Sequence, residues 1–281
     1  MLPPIVSSEW FAEHRDEVVV ADVRWYLDGR SGREAHEAGH ISGAVFVDLD
    51  AWLAAPATRA DGRHPLPDPA VFAMGLGALG IGDGDAVVAY DDAGGVIAAR
   101  LVWMLRSVGH DAALLDGGLD AWVASHGRDA LDTGPVPTRP RSLSTRAWPA
   151  EKLADLNAVS RASADHGPVL VDARAPERYR GDEEPVDARA GHIPGAVNLP
   201  TRDHLGPDGR HLAPELLRER FEAVGAGDRE VIAYCGSGVT ACHTLLALEH
   251  AGLPAGRLYA GSWSQYAAAT RLPVATGSGA S

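Results

Sequence analysis

Cys235 stands at the end of a short apolar run, Val231-Ile232-Ala233-Tyr234, and is followed by Gly236, Ser237, Gly238, Val239 and Thr240. Two glycines within three residues allow a tight turn whose backbone N–H groups point inward. The helical pattern that begins at about Val239 aims its positive end at the same point. Both effects stabilise an anion, so this thiol should ionise more readily than a free one and act as a nucleophile. A cysteine at a strand end is otherwise a small buried hydrophobe. Cys242, inside an apolar helical stretch, fits that description; Cys235 with its glycines fits the nucleophile. These are the only two cysteines of the chain. On one helix a seven-residue spacing separates them by about 10 Å, too far for a disulfide, which needs Cα atoms within about 7 Å. Two free thiols suit a reducing cytoplasm. The histidines have no compact metal-ligand spacing, so no metal is expected.

The elements that hold this corner occur twice. "VVVADVRWYLDGRSGREAHEAGHISGAVFVD" from Val18 pairs with "PVLVDARAPERYRGDEEPVDARAGHIPGAVNLP" from Pro168, setting Asp22 against Asp172 and His40 against His192. "DAVVAYDDAGGVIAARLVWML" from Asp85 pairs with "REVIAYCGSGVTACHTLLALE" from Arg229, and "LLDGGLDAW" from Leu114 with "LYAGSWSQY" from Leu258, both at an offset of 144. Repeats in the same order mean two homologous domains, expected at residues 1–133 and 149–281. The Pro-, Ser- and Thr-rich residues 134–148 read as a linker. The tail "ATGSGAS" is expected to fray. Within each half, short β-branched runs bounded by turn signals alternate with helical patterns, which predicts α/β domains with mostly parallel sheets and helices on both faces. In such sheets ligands bind beyond the carboxyl ends of the strands, where Cys235 sits. Its counterpart in the first half is Asp91, so only the second half carries the thiol.

Composition narrows the function. The chain has 281 residues, 46% apolar and 22% charged, with a net charge of -13. That balance is ordinary for a globular protein and argues against non-specific nucleic-acid binding. No apolar run is long enough to span a membrane, and the start "MLPPIVSSEWFAEHRDE" lacks the pattern of a signal peptide. A cytoplasmic location is expected.

Taken together, the two α/β repeats, "GHIPGAVN", "CGSGVTA" and "GSWSQY" resemble the two-domain rhodanese family over nearly the whole chain. The resemblance implies two tandem rhodanese-like domains, the first non-catalytic. It implies a sulfurtransferase in which Cys235 takes a sulfane sulfur from a small donor, becomes a persulfide and passes the sulfur to cyanide or to a thiol, a protein thiol included. It implies no cofactor and neither nucleic-acid nor membrane partners. The loop Gly236, Ser237, Gly238, Val239 and Thr240 carries no charge, so it is similar to the 3-mercaptopyruvate type rather than the thiosulfate type, whose loop has basic residues. That type uses the loop serine, here Ser237, with a histidine and an aspartate. Alignment of "FVDLDAWLAAPATRADGRHPLPDP" puts these at His64 and Asp50. Outside that role His64 would be a surface loop histidine and Asp50 a helix N-cap.

Arg178 matches the family arginine that binds substrate. A second arginine usually follows nine residues later, directly after "EP"; here the residue after Glu184-Pro185 is Val186, and Arg189 is the nearby substitute. This leaves thiosulfate as the alternative donor. Trp25 and Trp263 read as packing, Asp172 with Arg174 as a structural ion pair, and His40 and His192 as hydrogen-bonded structural residues. A phosphatase of the same domain type would need an arginine six residues after the cysteine, where Ala241 stands. A binding module without catalysis would not need the Cys235 loop.

Overall fold

The computed structural model describes residues 1–162, 167–227 and 229–278. The chain packs into two compact units. The first comprises Met1–Ala55, Pro67–Trp148 and Leu205–His211; the second comprises Pro56–Leu66, Pro149–His204 and Leu212–Ser281. The second unit therefore takes one short segment from the first half of the sequence.

In the first unit the strands are β1 (Ile5–Val6), β2 (Val18–Asp22), β3 (His40–Ile41), β4 (Val45–Phe46), β5 (Ala86–Tyr90), β6 (Ala112–Leu115) and β7 (Leu131–Asp132). Five of them form a parallel sheet in the order β1-β6-β5-β2-β4, and β3 pairs with β7 antiparallel. In the second unit β8 (Val169–Asp172), β9 (Val197–Asn198), β10 (Val231–Tyr234) and β11 (Arg257–Leu258) form a parallel sheet in the order β11-β10-β8-β9.

Alternation along the strands of the second unit explains its layers. Leu170, Ile232 and Tyr234 point to one face, against Val159, Tyr179, Trp263 and Tyr266 of three helices. Val169, Val171 and Val231 point to the other, against Leu217 and Phe221 of Pro214–Ala223 and Ala247 and Leu248 of Ala241–His250. Both faces are covered, which is why these strands are continuously apolar. Each such side chain contributes about 1.5–3 kcal/mol on burial.

The same register recurs in both units: Tyr90 lies opposite Asp22, and Tyr234 opposite Asp172. Each aspartate is fully buried and gripped by the arginine two residues on, Arg24 Nη2 at 2.5 Å and Arg174 Nη2 at 2.6 Å. Burial alone would raise the Asp22 carboxyl; hydrogen bonds from His36 and Arg24 hold it below the ordinary value. The ion pairs fix the turns that leave β2 and β8. His40 and His192 are buried and bound through Nδ1 to the carbonyls of His36 and Tyr179, each at 2.8 Å.

Residues 134–148 contain no helix or strand and run along the first unit: Arg141 N bonds Gly77 O at 2.8 Å and the Trp148 indole bonds Pro67 O at 2.8 Å. The tail is better tied than its composition suggests. Ala275 and His192 exchange two backbone bonds and Gly277 N bonds Arg180 O; Gly279, Ala280 and Ser281 lie outside the described residues.

Candidate active site

β10 ends at Tyr234 and delivers Cys235, 2% exposed, into the turn before the helix Ala241–His250. The turn depends on Gly238. Its φ is +81°, and a Cβ there would lie 2.5 Å from Ala260 O, so no side chain fits. In this conformation Gly238 N–H donates to Cys235 Sγ at 3.1 Å. Cys242, one helical turn on, is fully buried and donates its thiol to Gly238 O at 3.3 Å. Neither cysteine is in a disulfide.

A second segment stitches the turn from beside it. Cys235 N–H donates to Ser262 Oγ at 3.1 Å, and Ser262 Oγ–H to Tyr259 O at 2.9 Å. Trp263 N–H then donates to Cys235 O and Ser264 N–H to Gly236 O, both at 2.9 Å. Trp263 is fully buried, with the Arg174 guanidinium 4.7 Å from its ring centroid.

The segment Pro56–Leu66 completes the site within the second unit. Thr58 and Gly62 form a short bridge, and Gly62 approaches so closely that a Cβ would lie 2.7 Å from both Gly261 O and Ser264 Oγ. Arg63 N–H donates to Ser264 Oγ at 3.1 Å. This docking places His64 Nδ1 2.7 Å from Ser237 Oγ. Two of the expected relay members therefore meet. Asp50 lies in the first unit, where its Oδ2 accepts from the Trp25 indole at 3.0 Å. The local cap there is Asp48, whose carboxylate accepts from Asp50 N and Ala51 N.

Two guanidinium groups flank the loop. A Cβ placed on Gly236 would lie 3.0 Å from Arg63 Nη2 and 3.5 Å from Arg178 Nη1. Their other ends are held by acids: Arg63 Nη1 pairs with Asp187, while Arg178 Nη2 is 2.6 Å from Glu184 and 3.3 Å from Asp187. Arg178 Nε is buried and has no hydrogen-bond partner among the described residues. Burial would raise the Glu184 carboxyl, but bonds from Arg178 and from Asp187 and Val186 N–H hold it down. Burial pushes Asp187 up, against the pull of Arg63. A groove of about 350 Å³ beside the arginines is lined by Thr58, Arg59, Arg63, Val186, Asp187 and Ser264, among others.

Arg189 has a different occupation. Its Nε, Nη1 and Nη2 donate to the carbonyls of Ala267, Leu272, Tyr266 and Ala269 at 2.8–3.1 Å, capping the helix Ser262–Ala268. The expected substitute for the second arginine is thus spent on a helix end, and the second cation at the loop is Arg63. Sequence reasoning missed Arg63, although it adjoins His64 in "GRHPLP"; it also missed Asp187 and Ser262. Of the remaining loop residues, Val239 and Ser237 are buried, and Thr240 precedes the helix with its carbonyl accepting from His243 N.

The first unit shows what such a loop can hold. Asp91 is fully buried, and its carboxylate accepts four backbone N–H bonds: Ala93 and Gly95 on Oδ1 at 2.7 and 2.8 Å, Ile97 and Ala98 on Oδ2 at 2.7 and 2.8 Å. Leu119 N–H donates to Asp91 O at 2.8 Å, as Trp263 does to Cys235 O. Gly94, the counterpart of Gly238, has φ +76°. The loop built by this repeat is an anion cradle, filled in one unit by a carboxylate and closed around a thiol in the other.

Known proteins resemble the chain over most of its length. The Rhodanese-like domain family matches twice, at residues 7–125 and 155–269. The chain is 46% identical over 267 residues to the probable 3-mercaptopyruvate sulfurtransferase of Pseudomonas aeruginosa, with 93% of each chain covered. It is 39% identical over 265 residues to the putative thiosulfate sulfurtransferase SseB of Mycobacterium tuberculosis, covering 93% of this chain and 92% of that one. Among solved structures, the 3-mercaptopyruvate sulfurtransferase from Leishmania major matches with a TM-score of 0.84 at 31% identity, covering 97% of this chain and 77% of that one. SseA from Escherichia coli, described as having the rhodanese fold, matches with a TM-score of 0.82 at 32% identity, covering 94% of this chain and 100% of that one.

Proposed function

The chain belongs to the rhodanese family, and from that premise we propose that it is a sulfurtransferase that moves a sulfane sulfur from 3-mercaptopyruvate to cyanide or a thiol through a persulfide on Cys235. The observation that carries the reading is the Cys235 thiol under Gly238 N–H, with the Ser237–His64 pair at 2.7 Å and two guanidinium groups above Gly236.

The chemistry follows from those positions. Arg63 and Arg178 bind the donor carboxylate with charge-assisted bonds, Arg178 through Nη1, which faces Gly236. The Cys235 thiolate attacks the donor sulfur. The S–S bond forms as the C–S bond breaks, and the electron pair of that bond passes into the enolate of pyruvate. Ser237 O–H donates to the carbonyl oxygen where this charge collects, and His64 holds that hydroxyl and relays the proton that converts enolate to pyruvate. We retain Asp50 as the proposed third member of the relay. We assign the backbone of Gly236, Gly238, Val239 and Thr240 to the outer sulfur; in the first unit the counterpart of Val239, Gly95, donates its N–H to the Asp91 carboxylate, as does Ala93, the counterpart of Ser237. Cyanide carbon or an acceptor thiolate attacks that outer sulfur and releases Cys235.

No helix among the described residues is long and apolar enough to cross a membrane. With neither cysteine in a disulfide, we place the protein in the cytoplasm, acting on small molecules or a protein thiol rather than on nucleic acid. Thiosulfate is the alternative donor; its sulfonate fits the same two arginines, and the likeness to the M. tuberculosis protein favours it. Thiocyanate formation from cyanide with each donor tests the reading. Mercaptopyruvate should be preferred, Cys235→Ser should abolish transfer in a folded protein, and Cys242→Ser should keep most of it. Activity that survives in Cys235→Ser would overturn the assignment.

A further inference from the structure

The seat for the donor anion contains its own anion. The Asp187 side chain, 5% exposed, lies against both loop arginines, paired to Arg63 through Oδ1 and to Arg178 through Oδ2 at 3.3 Å. Its backbone is held as well, since its own N–H donates to Glu184 Oε1 at 3.0 Å. Glu184 in turn is held by Arg178 at 2.6 Å and by Arg174 at 3.3 Å, and Arg174 holds Asp172. Three guanidinium groups in this cluster therefore face three carboxylates. Two arginines at a loop usually signal a strongly cationic pocket; this one offers directed N–H donors with its positive charge already matched.

We propose that Asp187 is a specificity-determining residue that makes the arginine pair accept a monoanionic donor and disfavour a dianionic one. The inference rests on the sulfurtransferase reading for the identity of the donors. A carboxylate such as that of 3-mercaptopyruvate needs two or three N–H donors and adds one negative charge. Those donors exist: Arg63 Nη2 and Arg178 Nη1 face Gly236. Thiosulfate makes similar hydrogen bonds but brings a second charge into a cluster whose three guanidinium groups are already matched by three carboxylates, beside the buried Asp187 carboxylate; the further cation of the groove, Arg59, is solvent-exposed. At an effective dielectric of about 20 and a few ångströms' separation, one unmatched charge changes affinity by roughly a hundredfold or more. The loop from Gly236 to Thr240 has no charged side chain to offset it.

Direct binding separates this inference from the reading beneath it. In the Cys235→Ser background, where no sulfur can move, calorimetry measures the affinities of thiosulfate and of pyruvate, the monocarboxylate product. Asp187→Asn should raise the ratio of thiosulfate to pyruvate affinity by roughly a hundredfold, because the shape of the side chain is kept and its charge removed. Asp187→Glu, which keeps the charge, should retain the parent ratio. A ratio that does not move in Asp187→Asn, or that moves as much in Asp187→Glu, overturns the proposal. Thiocyanate assays with intact Cys235 run alongside. If the binding ratio shifts while neither donor transfers sulfur, the donor assignment fails and the charge-selective seat stands. If transfer is normal and the ratio is fixed, the sulfurtransferase reading stands and the role of Asp187 falls.

Discussion

Ser262 is the only non-glycine residue with positive φ among those described, at +50°. Its counterpart in the first unit is Gly118, φ +56°, where a Cβ would lie 2.4 Å from Asp91 O. The backbone at this point is the same in both repeats, yet one uses glycine and the other serine. The difference is the hydroxyl, which accepts from Cys235 N–H at 3.1 Å and donates to Tyr259 O at 2.9 Å. The serine accepts a left-handed conformation that costs roughly 1–2 kcal/mol in order to satisfy the buried amide of the nucleophile. Two substitutions separate these effects. Ser262→Ala keeps the strain and leaves Cys235 N–H unpaired, a loss of about 1–3 kcal/mol for a buried donor. Ser262→Gly loses the same bond but relieves the strain, an advantage reduced by about 0.5–1 kcal/mol for the greater freedom of glycine in the unfolded chain. Ser262→Gly should therefore be more stable than Ser262→Ala by about 0.5–1 kcal/mol, while both slow sulfur transfer alike. Thermal or urea midpoints compare the pair, and hydrogen exchange of a peptide containing residues 231–240 reads the opening of the loop. If Ser262→Ala is as stable as Ser262→Gly, strain is not what the serine tolerates. If exchange in the loop is unchanged in both, the hydroxyl does not hold Cys235.

His64→Ala should lower turnover with 3-mercaptopyruvate by on the order of a hundredfold or more and with thiosulfate much less, since only the former releases an enolate that must be protonated; Asp50→Asn should show the same bias, and an equal loss with both donors would remove the relay. Arg63→Gln and Arg178→Gln should each raise KM for mercaptopyruvate by roughly 10–100-fold, with kcat less affected. Arg189→Gln should instead lower the melting temperature and leave KM alone; a KM effect as large as that of Arg178→Gln would return Arg189 to the substrate site.

The fold was legible because its signals are local and doubled. β-branched runs such as Val18-Val19-Val20 and Val169-Leu170-Val171 mark parallel strands buried on both faces, and the offset between halves predicts the shared register of Tyr90 with Asp22 and Tyr234 with Asp172. Cys235 was legible for the same reason, since the strand end, the glycines and the helix start are contiguous. Arg63 and Asp187 were not. Their importance arises from a docking event, Gly62 packing onto Gly261 and Ser264 some two hundred residues away, and no local pattern encodes it. Arg189 was misjudged for the converse reason. Proximity to the expected position says nothing about the four carbonyls that claim its guanidinium.

Asp91 offers the strictest test of the idea that the repeated loop is an anion cradle. Its two oxygens receive four N–H groups at 2.7–2.8 Å. Burial pushes the carboxyl up, and the four bonds pull the other way. A group addressed on every side by donors must be acceptor-only, which is the ionised form. Asp91→Asn keeps the shape and converts one oxygen into an NH₂ group, which would face Ile97 and Ala98 N–H, or Ala93 and Gly95 N–H, with a donor. Two backbone amides are then left unpaired in a fully buried site, each at about 1–3 kcal/mol, for a total of roughly 2–6 kcal/mol. A loss of that size for one atom exchanged is large against ordinary substitutions, and it should appear as a drop in the melting temperature of the first unit. Asp91→Glu should fail too, because the added methylene has no space in a loop closed on all sides. If Asp91→Asn melts within a degree or so of the parent, the four bonds are not addressed to a charge, and the same loop around Cys235 loses its claim to stabilise a persulfide.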